Sequence, residues 1–239
     1  MSNLEGQVAV ITGASSGIGR AVALDLHDAG MKLVLTGRRE ERLKELSART
    51  GGSPFIAADI MDLELPARLL QRALDEFGQC DVVFNNAGII HVGSIAQIDL
   101  ETVTEMVRVN VDAAFRLTYV ALRHFLSAGS GHLINTSSIL GTKVRPTAGA
   151  YAGTKYAIEA LSEALRIELA GTGIKISCIE PGLVTTELHR HWEVPPKKAL
   201  NIQEPLQPED IARCVRFLLQ QPEHVRIPRM MVLPGEQLL

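Results

Sequence analysis

The sequence predicts an α/β protein: one doubly wound domain whose seven strands form a single parallel sheet. Three observations carry this. Short apolar runs and amphipathic stretches alternate along the whole chain, the pattern of right-handed strand–helix–strand units with helices on both faces of a sheet. The apolar runs are continuous rather than alternating, as in strands buried on both faces. The 239 residues carry no repeat, linker or low-complexity segment, so one domain is expected over 1–239.

Composition bounds the class. With 46% apolar and 21% charged residues and a net charge of −3, the chain is neither disordered, collagen-like nor a disulfide scaffold. The near-neutral balance argues against a broad nucleic-acid surface. Six Phe, three Tyr and one Trp stand against 20 Gly, so the core is expected to be aliphatic. Cys80, Cys178 and Cys214 are odd in number and widely spaced, as expected of reduced thiols in a cytoplasmic protein. Met1–Glu5 shows no basic stretch followed by an apolar core. No run approaches the ~18–20 apolar residues of a membrane span.

The elements follow in order. Val8–Ile11 is the first strand, ending at Thr12-Gly13, and a helix runs from Gly17 to Ala29 with Gly30 at its end. Leu33–Leu35 is the second strand, followed by a charged amphipathic helix over Glu40–Arg49. Phe55–Ala58 and Leu63–Phe77 form the third strand–helix pair. Asp81–Phe84 is the fourth strand, and one long helix is expected over Leu100–Leu126. His132–Thr136 and Tyr151–Leu169 make the fifth pair, and Lys175–Ile179 the sixth strand. Leu183–Gln207 holds Pro195, Pro196 and Pro205 and reads as a loop excursion, a lid. Pro208 opens a last helix from its first turn, and Met230–Leu233 is the seventh strand.

Thr12-Gly13-Ala14-Ser15-Ser16-Gly17-Ile18-Gly19 lies between the first strand and the first helix. A loop poor in side chains there lets backbone N–H groups approach a pyrophosphate at a helix N-terminus. Its first gap is one residue longer than in the common dinucleotide-binding fingerprint. At the end of the second strand an acidic residue usually binds the adenosine ribose in NAD enzymes. Here Gly37 stands at that position and Arg38 and Arg39 follow. Guanidinium groups pair bidentately with a phosphate, so NADP(H) is expected over NAD(H), with Arg38 as the main contact.

Tyr151 and Lys155, four residues apart, share one helix face. A free tyrosine has a pKa of ~10 and is a poor base at neutral pH. A nearby ammonium and a positive nicotinamide ring favour the phenolate; about 4 kcal/mol of such interaction brings the pKa near neutrality. Ser138, just after the fifth strand, is placed to polarise a substrate oxygen.

With these residues in hand, the chain resembles the short-chain dehydrogenase/reductase family over nearly its whole length. The resemblance rests on Thr12-Gly13-x-x-x-Gly17-x-Gly19, Asp59, Asn85-Asn86-Ala87-Gly88, Asn110, Ser138, Tyr151-x-x-x-Lys155 and Pro181-Gly182. It implies a Rossmann-like fold and reversible hydride transfer to a carbonyl carbon, with no metal. Tyr151 is then the acid in reduction, Lys155 lowers its pKa and binds the nicotinamide ribose, and Ser138 positions the carbonyl oxygen. Asn110 matches the residue that holds a water in a proton relay. Asp59, with Ile60 beside it, matches the adenine contact. Asn86, Ala87 and Gly88 match the adenosine side, and Pro181, Gly182, Val184 and Thr186 the carboxamide grip. The tail resembles NADP-dependent 3-hydroxy acid (serine-type) dehydrogenases and the clavulanate-pathway aldehyde reductase more than acyl-carrier-protein reductases. The expected reaction is reduction of a small ketone or aldehyde by NADPH.

Leu140, Leu183, Leu188 and Trp192 predict an apolar substrate pocket. His189 and His191 make an incomplete metal pair and are assigned to the lid, while Tyr156 is assigned a structural role. The Ala- and Leu-rich surfaces of the helices near Leu100–Leu126 and Tyr151–Leu169 predict a homodimer or homotetramer. Two further functions stay open: a dinucleotide-binding sensor or scaffold without turnover, and a lyase or epimerase using the same cofactor.

Overall fold

The computed structural model describes residues 3–190, 192 and 194–237. Seven strands, β1 (Val8–Thr12), β2 (Lys32–Gly37), β3 (Phe55–Ala57), β4 (Val82–Asn85), β5 (Ser130–Thr136), β6 (Gly173–Pro181) and β7 (Arg229–Val232), pair in the order β3-β2-β1-β4-β5-β6-β7. Every neighbouring pair is parallel. The helices are α1 (Gly17–Asp28), α2 (Glu40–Arg49), α3 (Leu65–Phe77), α4 (Leu100–Val107), α5 (Ala114–Ala128), α6 (Gly149–Glu168), α7 (Pro196–Ala199) and α8 (Pro208–Leu219).

Alternate residues of β1 feed two apolar layers, because strand side chains point to opposite faces. Ala9 and Ile11 pack with Leu26, Leu43 and Val215 from α1, α2 and α8. Val8 and Val10 pack with Leu69, Phe125 and Leu165 from α3, α5 and α6. Every residue of β1 and of β4 is buried, which is why their sequences read as unbroken apolar runs. Local chemistry sets the helix ends. At the end of α1, Gly30 adopts φ +86°; its N–H reaches the His27 carbonyl at 2.9 Å and the Met31 N–H the Leu26 carbonyl at 3.0 Å, a left-handed cap. At the start of α8, Pro208 follows a capping box formed by Gln207 and Asp210.

The structure departs from the sequence expectations in three places. The single helix expected over Leu100–Leu126 is divided into α4 and α5 by a π-helical segment, Arg108–Ala113. The loop expected over Leu183–Gln207 is partly ordered: it holds a 3-10 turn, Glu187–His189, and the short helix α7. It is tied at its base by the Thr185 N–H to the Leu206 carbonyl at 2.8 Å and the Leu206 N–H to the Leu183 carbonyl at 3.0 Å. The third helix begins at Leu65 rather than Leu63, because Asp62 first folds a turn that accepts the Glu64 N–H at 3.0 Å.

The strand order reverses between β1 and β4. In open parallel sheets the crevice outside the strand carboxyl ends at such a reversal is where ligands bind.

Candidate active site

A cleft of about 1050 Å³ opens at that reversal. Of the residues nominated from sequence for catalysis or cofactor binding, all line it except Gly19 and Asn110.

The loop between β1 and α1 is shaped by contact. Gly13 has φ +67°, and a Cβ there would lie 2.9 Å from Asn86 Nδ2. A Cβ on Gly19 would run into the Gly13 carbonyl, so Gly19 brings α1 close under the loop without lining the cleft. Thr12 ties the loop to β4: its Oγ1 accepts the N–H groups of Asn86 at 2.9 Å and Ala87 at 3.0 Å. The result is an open, side-chain-poor cradle at the N-terminus of α1, as a pyrophosphate needs.

At the end of β2, a Cβ on Gly37 would stand 3.0 Å from Ser15 Oγ. The close approach of the loop thus supplies a packing reason for the missing side chain. Arg38 is exposed, borders the cleft, and has no hydrogen bond or ion pair to a described residue. Arg39 donates to Ser16 Oγ at 2.5 Å and Ser15 Oγ at 3.3 Å. Arg39 and Arg42 both pair with Glu187 of the lid, at 2.5 and 2.6 Å, and hold its carboxyl below the usual range. No spacing rule on the sequence points to Glu187, since it meets Arg39 only through the fold. Asp59 takes the Met61 N–H at 2.9 Å.

Ser138, Tyr151 and Lys155 converge from two elements. Ser138 follows β5, and its Oγ accepts the Leu140 N–H at 3.1 Å, capping a 3-10 turn. Tyr151 and Lys155 sit on the first turns of α6, 7% and 5% exposed. Lys155 Nζ donates to the Thr136 carbonyl at 2.8 Å and lies 5.8 Å from the Tyr151 ring centroid. Burial pushes the Tyr151 phenol up to about 12, partly opposed by its hydrogen bond with Ser138. Burial pulls the Lys155 ammonium down to about 8, while Cys178 and Glu159 act the other way. In the protein alone, desolvation of the phenolate is the largest effect on Tyr151; the lowering expected from Lys155 together with an oxidised nicotinamide ring would have to work against it.

Asn110 lies in the π-helical segment, where such segments often mark functional sites. Its amide is committed to the Ile89 backbone, accepting its N–H at 2.9 Å and donating to its carbonyl at 2.8 Å, and to Thr154 Oγ1 at 3.2 Å. It anchors the strand-end segment that carries Gly88 rather than facing the cleft.

Behind the site lies a charged cluster that the sequence does not announce. Glu159, one turn after Lys155 on α6, and Glu180, the residue before Pro181, are 7% and 1% exposed. Arg229 Nε bridges them at 3.2 and 2.8 Å. Desolvation raises the Glu159 carboxyl; Ser137 and Arg229 lower it, and Glu180 raises it further.

Leu140, Leu183, Leu188 and Trp192 all border the cleft, as do Lys143, Val144, Arg145 and the tail residue Gln237. Gln237 Oε1 accepts the Leu183 N–H at 2.8 Å. His189 packs edge-on against Trp192, with centroids 4.8 Å apart. His191 lies outside the described residues, and among these no group of metal-ligating side chains occurs. Tyr156 is 42% exposed rather than packed in the core. No helix among the described residues is long and apolar enough to cross a membrane.

Comparison with known proteins identifies the family and the fold. The family model described as short chain dehydrogenase matches residues 7–195. The chain is 35% identical over 239 residues to an uncharacterised oxidoreductase of Staphylococcus saprophyticus, covering 98% of this chain and 100% of the relative. Among solved structures, a serine dehydrogenase complexed with NADP+ superposes with a TM-score of 0.91 at 27% identity, over 98% of this chain and 97% of that one. A 3-ketoacyl-(acyl-carrier-protein) reductase from Brucella melitensis complexed with NADH gives 0.89 at 28%, over 98% and 100%.

Proposed function

The chain belongs to the short-chain dehydrogenase family, and from that premise we propose that it is an NADPH-dependent oxidoreductase that reversibly reduces a small ketone or aldehyde. The observation that carries this is the convergence of Ser138, Tyr151 and Lys155 in one cleft with a phosphate cradle at its other end.

The cradle fits a dinucleotide: the loop from Gly13 to Gly19 takes the pyrophosphate, Asp59 and Ile60 the adenine, and Pro181, Gly182, Val184 and Thr186 the carboxamide. A bound nicotinamide supplies the hydride. Ser138 Oγ holds the substrate oxygen, and Tyr151 delivers its proton there. Burial keeps that proton on the phenol through neutral pH, which suits an acid. Lys155, anchored on Thr136, binds the ribose and assists the phenolate when the reaction runs toward oxidation. The lid over 183–207 closes the apolar side.

Oxidation is therefore expected to speed up as pH rises, because the phenol must first ionise, while reduction stays level through neutral pH. Initial rates in both directions against pH check this; an oxidation rate that falls with rising pH contradicts Tyr151 as the base.

The two solved relatives carry different cofactors, so selection rests on this chain's arginines. Arg38 has its guanidinium uncommitted among the described residues and is the main contact for a 2′-phosphate, with Arg39 beside it. A charge-assisted contact contributes about 1.5–3 kcal/mol, so Arg38→Ala is expected to raise the KM for NADPH about tenfold or more and to change that for NADH little. A wild-type KM for NADH equal to or below that for NADPH overturns the assignment. Tight NADPH binding with no turnover across ketones, aldehydes and secondary alcohols would favour a sensor instead.

Val107, Tyr119, Leu126 and Ile167 are 47%, 45%, 55% and 72% exposed on α4, α5 and α6. Apolar side chains so placed support pairing of two or four copies through these helices.

A further inference from the structure

The substrate end of the cleft holds a cation with no counter-ion among the described residues. Arg145 sits on the loop between the turn capped by Ser138 and the start of α6, six residues before Tyr151. Leu140, Val144, Leu188 and Trp192 line the same cleft, as do the basic side chains of Lys143 and Arg190. The Arg145 guanidinium carbon lies 5.9 Å from the Trp192 ring centroid. Arg145 is partly buried, and among the described residues it has no hydrogen bond or ion pair. Desolvation lowers its pKa with no carboxylate opposing the shift.

Three of the acids that share the cleft are used elsewhere, Glu187 by Arg39 and Arg42, Glu236 by the Gln203 N–H, and Asp59 by the Met61 N–H; the fourth, Glu105 on α4, lines the cleft and also a second hollow shared with Arg38 and Arg108. The Trp192 indole that backs Arg145 is itself inset, its Nε1 buried with no acceptor among the described residues. The loop is also held in a costly shape. Thr147 is β-branched yet has φ +67°, a strained conformation for such a residue, and its carbonyl takes the Gly93 N–H at 2.9 Å.

A guanidinium on an aromatic face, partly desolvated and unpaired, is matched by a planar anion with two acceptor oxygens. We propose that the carbonyl substrate carries a carboxylate, and that Arg145, backed by Trp192, is the residue that binds it. This rests on the assignment of Ser138 and Tyr151 to the substrate carbonyl and narrows the substrate class to oxo acids.

The test compares 2-, 3- and 4-oxopentanoate with their methyl esters as substrates of the wild type and Arg145→Gln. One charge-assisted contact in a partly dry site is worth about 10- to 100-fold. For at least one acid, kcat/KM should exceed that of its ester by that factor in the wild type. In the variant the ratio should fall to near one, mainly through KM. Esters turned over as well as acids across the panel, or a ratio that survives Arg145→Gln, overturn the proposal. A binding arm separates it from the reductase assignment: the NADPH-loaded protein is titrated calorimetrically with the matching hydroxypentanoates. Their binding, weakened tenfold or more in the variant, supports the subsite even without turnover of any substrate. Turnover of neutral ketones with no hydroxy-acid binding removes the subsite and leaves the reductase standing. NADPH affinity and melting temperature report that the variant is folded, and Arg145→Lys should give an intermediate ratio, keeping charge but losing the fork.

Discussion

Tyr151→Phe is expected to lower kcat by about 10²–10⁴-fold, the contribution of a positioned general acid, while NADPH affinity stays near the wild-type value. The substitution removes one oxygen and keeps the ring that packs with Leu140 and Ala152, so the loss reports proton delivery rather than collapse of the pocket. The Ser138 hydroxyl keeps its backbone partner, the Leu140 N–H, and remains in place to orient a substrate. Stopped-flow reduction with a saturating ketone or aldehyde measures the effect. A variant within tenfold of wild type would mean that the proton comes from elsewhere.

The largest effect on stability is expected from Arg229→Met. Arg229 is the only cation that bridges Glu159 and Glu180 among the described residues, and both carboxylates are buried. Without it two like charges face each other out of water. Breaking a buried pair costs about 3–5 kcal/mol; because Arg229 is 44% exposed, about 2–4 kcal/mol is expected here. At about 2–4 °C per kcal/mol for a chain of this size, the melting temperature should drop clearly.

The pH dependence gives the sign. The Glu159 carboxyl is raised in the folded protein, so the folded state holds its proton more tightly than the unfolded one. Stability from that group is present below its unfolded pKa and is lost as pH rises through the folded value. Removing Arg229 raises the folded value further, so the deficit should be largest at neutral pH and shrink toward pH 5. Glu159→Gln in the variant should recover part of it. Thermal melts at several pH values decide; a deficit that does not vary with pH would point to lost packing of the arginine stem instead.

The Glu159–Glu180–Arg229 cluster also shows where reading the chain stops. Glu159 looks like a polar position on an amphipathic helix, Glu180 like the residue before a turn, and Arg229 like a charge flanking the last strand. Only the parallel pairing of β6 with β7 sets Arg229 opposite Cys178, two residues from Glu180 on the same face of the sheet. The same holds for Glu187 on Arg39 and Arg42, and for Arg145 on Trp192. Contacts over such separations leave no periodic trace, whereas Tyr151 and Lys155, one helical turn apart, are legible as a pair.

The long helix expected over Leu100–Leu126 fails for a related reason. Apolar periodicity cannot distinguish an α-helix from one with an inserted π turn. The π turn carries Asn110, whose amide grips the Ile89 backbone, a tertiary contact. Asn110 itself came to notice through resemblance, and its place behind Gly88 rather than in the cleft needed coordinates.

The chain by itself determined the sheet, its seven strands and the phosphate loop, because burial on both faces and close backbone approach constrain residue type locally. It also marked Ser138, Tyr151 and Lys155. The tertiary structure alone decided the charge states and partners. Burial raises Tyr151 and lowers Lys155, Arg39 is committed to the lid, and among the described residues Arg38 has no ion pair and Arg145 no counter-ion. Hydrophobic pattern is a property of neighbours along the chain, whereas desolvation and ion pairing depend on everything within a few ångströms in space.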